Sequence, residues 1–100
     1  MVRLTREQLV AKDACRPNLE MFDRLFPSGY AIVTPDLPAQ YQHLFRWGWM
    51  LIHLLKPQYV KQYADTVAAL RRIHDVHSTA FKTARLRALA QAYIDQENAI

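Results

Sequence analysis

One hundred residues hold a single domain and exclude a multidomain enzyme. A composition that is 51% hydrophobic and 22% charged excludes an intrinsically disordered chain, and 2 Gly against 13 Ala disfavour turn-rich sandwiches and barrels. The formal charge of +4 favours phosphate or an acidic protein face as a partner without choosing between them.

In chain order, Thr5 followed three residues later by Gln8 matches a capping box and predicts a short helix to about Lys12. Asp13-Ala14-Cys15 leads to Pro17, whose missing N–H suits the first turn of a second helix carrying Leu19, Phe22, Leu25 and Phe26 inward. Phe26-Pro27-Ser28-Gly29 stops that helix. Residues 30–34 form the one β-like run, expected as an extended connection because no partner strand is evident. A long helix is expected over residues 38–55, with Tyr41, Leu44, Phe45, Gly48, Leu51, Ile52 and Leu55 on its core arc and Gly48 permitting close approach of a neighbour. After Lys56-Pro57, Val60, Tyr63, Val67, Leu70 and Ile73 mark the inner face of the next helix. Ser78 or Thr79 caps a last helix to about Gln96. The fold class expected is all-α, a bundle of four to five helices in one domain over residues 1–100. Leader helices and a turn occupy 1–34, and three longer helices occupy 38–97.

Catalysis finds little support. Arg16 and a helix start beside Cys15 favour a thiolate, yet no histidine stands in a recognisable catalytic signature, so Cys15 reads as a small buried residue between two helices. His74 and His77 have the spacing to share a metal, but the remaining ligands are not visible, and two solvent-edge histidines are the plainer reading. Only 2 glycines leave no phosphate-cradling loop. No catalytic residue, metal or cofactor is therefore expected. The longest apolar run, residues 47–52, is far short of the ~20 residues a bilayer requires, and MVRLTREQL lacks a secretory h-region, so the expectation is a cytoplasmic protein without membrane contact.

Macromolecular binding is better supported. Arg71, Arg72, Lys82, Arg85 and Arg87 crowd into the C-terminal half. At ~100° per residue Lys82 and Arg85 share one side of the last helix while Arg87 points nearly opposite, so they do not make one phosphate-tracking stripe. Arg85 lies on or beside the apolar face, either reaching the bundle's rim or extending beyond it as a contact. Trp47, Met50 and Leu54 fall outside the expected core arc. Either their helix is central and apolar nearly all round, or they form an exposed docking patch ringed by Arg46.

Residues 4–33, with Asp13-Ala14-Cys15, Leu19, Phe22, Phe26-Pro27, Gly29 and Ile32-Val33-Thr34, resemble a helical leader found in many small phage and prophage proteins. There the pattern is a DAC or GAC tripeptide, a spaced Leu and Phe, and an F-P-x-G turn before a short apolar run. By analogy of origin and format, the chain is similar in kind to the inhibitors of type I-F CRISPR surveillance complexes. The resemblance implies an anti-CRISPR protein, working in the cytoplasm of a bacterial host, that binds a multisubunit nucleoprotein complex and blocks its DNA binding by occlusion. The partner-binding residues expected on this reading are Trp47, Met50, Arg71, Arg72, Lys82 and Arg85. The alternative is a small basic helical DNA-binding regulator, and an enzyme ranks third.

Overall fold

The computed structural model describes residues 1–44 and 46–99, with the backbone only at Trp49. The chain begins with strand β1 (Arg3–Thr5), which runs directly into helix α1 (Arg6–Ala11). The capping box forms as its spacing predicts: the Gln8 N–H donates to Thr5 Oγ1 at 3.2 Å, and the Thr5 N–H donates to Gln8 Oε1 at 2.8 Å. At the other end of α1, the Ala14 N–H donates to the Leu9 carbonyl and the Asp13 N–H to the Val10 carbonyl. This paired closure requires a left-handed residue, and Asp13 takes that place with φ of 56°. Asp13→Val is expected to lower the unfolding free energy by about 1–2 kcal/mol, because a β-branched side chain clashes in that region. Asp13→Gly should lose none. Urea denaturation of the two variants checks this.

Helix α2 (Arg16–Leu25) follows, with Pro17 in its first turn and Phe22 buried. Ion pairing of Arg6 Nε with Asp23 Oδ1 at 2.9 Å ties α1 to α2 across their exposed faces. The Phe26-Pro27-Ser28-Gly29 turn closes with Gly29 N–H donating to the Phe26 carbonyl at 3.0 Å, and Gly29 has φ of 90°, the left-handed conformation that glycine adopts most readily. The turn delivers strand β2 (Tyr30–Ile32). It is not an unpaired connection: β2 pairs antiparallel with β1 in the register Arg3–Ile32, Leu4–Ala31, Thr5–Tyr30. Leu4 and Ala31 point into the core from this ladder, and the Arg3 guanidinium lies 4.4 Å from the centre of the Tyr30 ring on the outer side. The fold is thus mostly helical with a small sheet, rather than purely α.

The expected helix over residues 38–55 is interrupted. Helix α3 (Leu37–Gln40) ends in a turn at residues 41–44, and α4 (Trp47–Leu54) starts afresh. The Phe26 ring packs against both sides of the break. It meets Tyr41 edge-on at 5.6 Å between centroids and Trp47 edge-on at 6.2 Å. The restart also resets which face looks inward. Trp47, Met50 and Leu51 are fully buried and Leu54 partly so, whereas Leu44 is half exposed. Leu51 and Leu55 of the expected arc are buried as well, so α4 is the central helix, apolar nearly all round, and not a helix with an exposed patch. A Cβ on Gly48 would meet no atom within 4 Å among the described residues, so no close helix approach depends on it. The place of Phe45 in the expected arc lies outside the described residues.

Helix α5 (Pro57–Ile73) packs along α6 (Thr79–Asn98). Pro57 occupies the first position of α5, and Lys56 is extended before it (ψ 157°), as a residue preceding proline prefers. Val67 is buried, but Ile73, expected on the inner face, is 75% exposed because it lies at the last residue of α5, beyond the packed length. Ser78 caps α6 by accepting from the Phe81 N–H at 3.1 Å. Helix α6 is the hub. It contacts α3, α4 and α5, and it buries Phe81, Leu86, Leu89, Ala90, Ala92, Tyr93 and Gln96. The whole has a radius of gyration of 13.4 Å, as expected for one 100-residue domain.

Among the described residues Gln96 is the one buried polar residue, and it joins the corner between α4 and α5. Its Oε1 accepts from the Lys56 N–H, and its Nε2 donates to the Leu54 carbonyl at 2.9 Å. One side chain thus satisfies a helix C-terminus and the next helix's N-terminus together. Gln96→Leu is expected to cost about 2–4 kcal/mol, since both backbone groups lose their partner in the interior. Gln96→Glu should be destabilised at neutral pH, where a carboxylate cannot donate to Leu54. It should recover as acid protonates it, because the folded state favours the neutral acid. Denaturation midpoints at two pH values separate these results.

Candidate functional site

The polar feature that departs most from the core pattern is Arg85. On α6 it lies at ~40° from Phe81, inside the arc swept by Phe81, Leu89 and Tyr93, yet it is exposed. It is exposed because the core opens at this point. A hollow of about 230 Å³ lies between the start of α4 and the first half of α6, lined by Gln42, Arg46, Trp47, Gly48, Lys82, Arg85 and Leu86. Trp47 and Leu86 are almost wholly buried and supply the apolar floor, while Arg46, Lys82 and Arg85 are exposed around it.

Three positive charges converge here from two separate parts of the chain, and no carboxylate is in the lining. Among the described residues none of the three forms an ion pair. The pairs that do form are Arg6–Asp23, Arg16–Glu20, Lys61–Asp65 and Arg87–Asp36, all elsewhere. Arg46 stands at the N-cap of α4 with φ of −84° and ψ of 69°, and its carbonyl accepts from the Met50 N–H at 3.1 Å. That anchoring fixes the backbone and leaves the guanidinium outside. Arg46 also lines two further depressions. One, of about 250 Å³, is shared with Asp13, Cys15 and Asn18. The other, of about 280 Å³, is shared with Pro17, Asn18, Met21, Gln42, His43 and Leu44.

Of the six residues expected to bind a partner, the structure brings three to this hollow, Lys82 and Arg85 at its rim and Trp47 in its floor, and adds Arg46 and Gln42 to them. Trp47 and Met50 are 1% and 0% exposed, so of the two readings of their stripe the structure has the central helix and not the exposed docking patch: they are core side chains of α4. Arg71 and Arg72 do not line the hollow. They occupy the last turn of α5, where positive charge complements the helix dipole, beside the exposed Ile73. Arg87, on the opposite side of α6 from Arg85, pairs with Asp36 at 3.0 Å and fastens α6 to the start of α3.

Cys15 is also corrected. It is exposed, at the N-cap of α2, and not buried between helices. His74 is half-buried and His77 exposed in the turn before α6, where the His77 N–H donates to Asp75 Oδ1 at 2.9 Å. Among the described residues no group of three or more His, Cys, Asp or Glu side chains is placed to hold a metal ion. Nor is any described helix long and apolar enough to cross a membrane. Compared with known proteins, the chain matches no family model, no curated sequence and no solved structure.

Proposed function

We propose that the protein is a non-enzymatic interaction protein of phage origin that binds and inhibits a host nucleic-acid-processing complex, a type I-F CRISPR surveillance complex being the foremost candidate. The observation that carries the reading is the hollow of Arg46, Lys82 and Arg85, three cationic residues with no ion pair among the described residues, of which Arg85 stands in a core-facing register of α6. Such a surface is steered toward polyanions and fits the nucleic-acid-binding region of a nucleoprotein complex. Occlusion by docking accords with the charge sign better than DNA mimicry, which requires carboxylates in phosphate-like array. The leader resemblance supports the phage origin. Its Asp-or-Gly choice at the first residue of the tripeptide suits the left-handed conformation of Asp13.

Capture from a bacterial host lysate tests the reading. The protein is expected to retain a complex of several proteins with nucleic acid, and the Arg46→Gln/Lys82→Gln/Arg85→Gln variant is expected to lose it while staying folded. Retention by both proteins, or by neither, contradicts it. The same cations favour a second reading, direct DNA binding by a small regulator. A mobility shift of the isolated protein on duplex DNA that weakens steeply with salt would support that reading instead.

A further inference from the structure

We infer that the hollow bounded by Gln42, Arg46, Lys82 and Arg85 is a binding site for a phosphate ester group. The inference deepens the proposed function and rests on it for the identity of the phosphate's carrier. Its chemistry rests on the hollow itself.

The chain carries nine carboxylate side chains, and none of them lines this hollow. Of the thirteen Lys and Arg side chains, four form ion pairs among the described residues, at 2.9–3.0 Å, and Arg46, Lys82 and Arg85 are not among them. Like charges gathered around one depression repel each other, and an anion entering between them converts that repulsion into attraction. At about 230 Å³ the space exceeds several water volumes of ~30 Å³ each, enough for a tetrahedral phosphate with its ester carbon.

The number and kind of donors choose phosphate over carboxylate. One guanidinium satisfies the two oxygens of a carboxylate with its planar fork. Here two arginines, one lysine and Gln42, from two chain segments, line one hollow. That set matches a group with several oxygens and up to ~2 negative charges, which a phosphate monoester carries at neutral pH. Gln42 adds a neutral donor suited to an ester oxygen.

The test measures thermal unfolding of the isolated protein at constant ionic strength, exchanging chloride for inorganic phosphate. Phosphate is expected to raise the midpoint of the wild type. The rise should vanish in Arg46→Gln/Arg85→Gln, whose helical circular dichroism confirms folding, and persist in Arg71→Gln/Arg72→Gln, which loses the same net charge away from the hollow. No rise, or an equal rise in both variants, overturns the proposal. Titrations with adenosine monophosphate and a short single-stranded oligonucleotide identify the carrier. A strand at least ten-fold tighter than the nucleotide places the group on nucleic acid, equal affinity places it on a free nucleotide, and binding of neither overturns the proposal. If phosphate fails while lysate capture still depends on the three cations, the inhibitor reading stands and the phosphate site falls. If phosphate binds and capture fails, the reverse holds.

Discussion

Trp47→Ala is expected to lower the unfolding free energy by about 3–5 kcal/mol, enough to bring a domain of this size near the limit of folding. The indole is 1% exposed, forms the floor of the cationic hollow from beneath, and stands edge-on to Phe26 at 6.2 Å. Phe26 in turn packs against Phe22 at 5.1 Å and Tyr41 at 5.6 Å, so removing Trp47 opens a void at the junction of α2, the 41–44 turn and α4. A tryptophan reserved for docking behaves differently: its removal spares stability and abolishes binding. Met50→Ala, also fully buried, should cost about 2–5 kcal/mol by the same mechanism. Denaturant titration decides the matter. A loss below about 1 kcal/mol at Trp47 would place that side chain on the surface and return it to the docking face.

Tyr93 carries the second large effect, because its hydroxyl joins the two ends of the chain. The ring is fully buried on α6. Its O–H donates to the Arg3 carbonyl at 3.2 Å and accepts from Gln8 Nε2 at 3.0 Å. The same Gln8 holds the capping box of α1, so one network fixes β1, α1 and α6 together. Tyr93→Ala is expected to cost about 3–5 kcal/mol. Tyr93→Phe should cost about 1–3 kcal/mol, by leaving the Arg3 carbonyl and the Gln8 amide without their buried partner. Burial, foremost, pushes the phenol well above its usual range, the Gln8 bond works against the rise, and the nearby Glu97 carboxylate adds to it. The fold therefore favours the neutral phenol. Its contribution is present in full below about pH 10, the unfolded value, and is lost as pH rises above it. The wild type should lose midpoint temperature across that range more steeply than Tyr93→Phe. Parallel curves for the two proteins would contradict the assignment.

The local signals were legible because each is written in adjacent residues. Thr5 with Gln8, Pro17, Pro57 and Ser78 mark helix starts by hydrogen bonding or by proline's fixed φ, and all four begin or cap helices in the structure. The β1–β2 pair was not legible. Arg3-Leu4-Thr5 contributes one buried side chain, too little for a strand pattern, and its partner is more than twenty residues away. The division of α3 from α4 was not legible either, because the apolar spacing of Tyr41, Leu44 and Leu51 fits a continuous helix and no proline or glycine stands between residues 41 and 44. The inner face of α4 was hidden because an octapeptide apolar at nearly every position shows no preferred side. At the site, Arg85 announced itself as a cation in a core-facing register. The meeting of Arg46 with Lys82 and Arg85 depends on where the 41–44 turn ends and was invisible to spacing along one helix.

The central claim is that the Arg46, Lys82 and Arg85 hollow is the surface by which this protein disables a nucleic-acid-processing complex. The most direct measurement titrates the DNA binding of the captured complex with the wild-type protein and with the triple glutamine variant. Loss of DNA binding near one equivalent of wild type, with more than ten-fold excess needed for the variant, is the predicted result. Unchanged DNA binding at saturating wild type, or equal inhibition by both proteins, contradicts the claim.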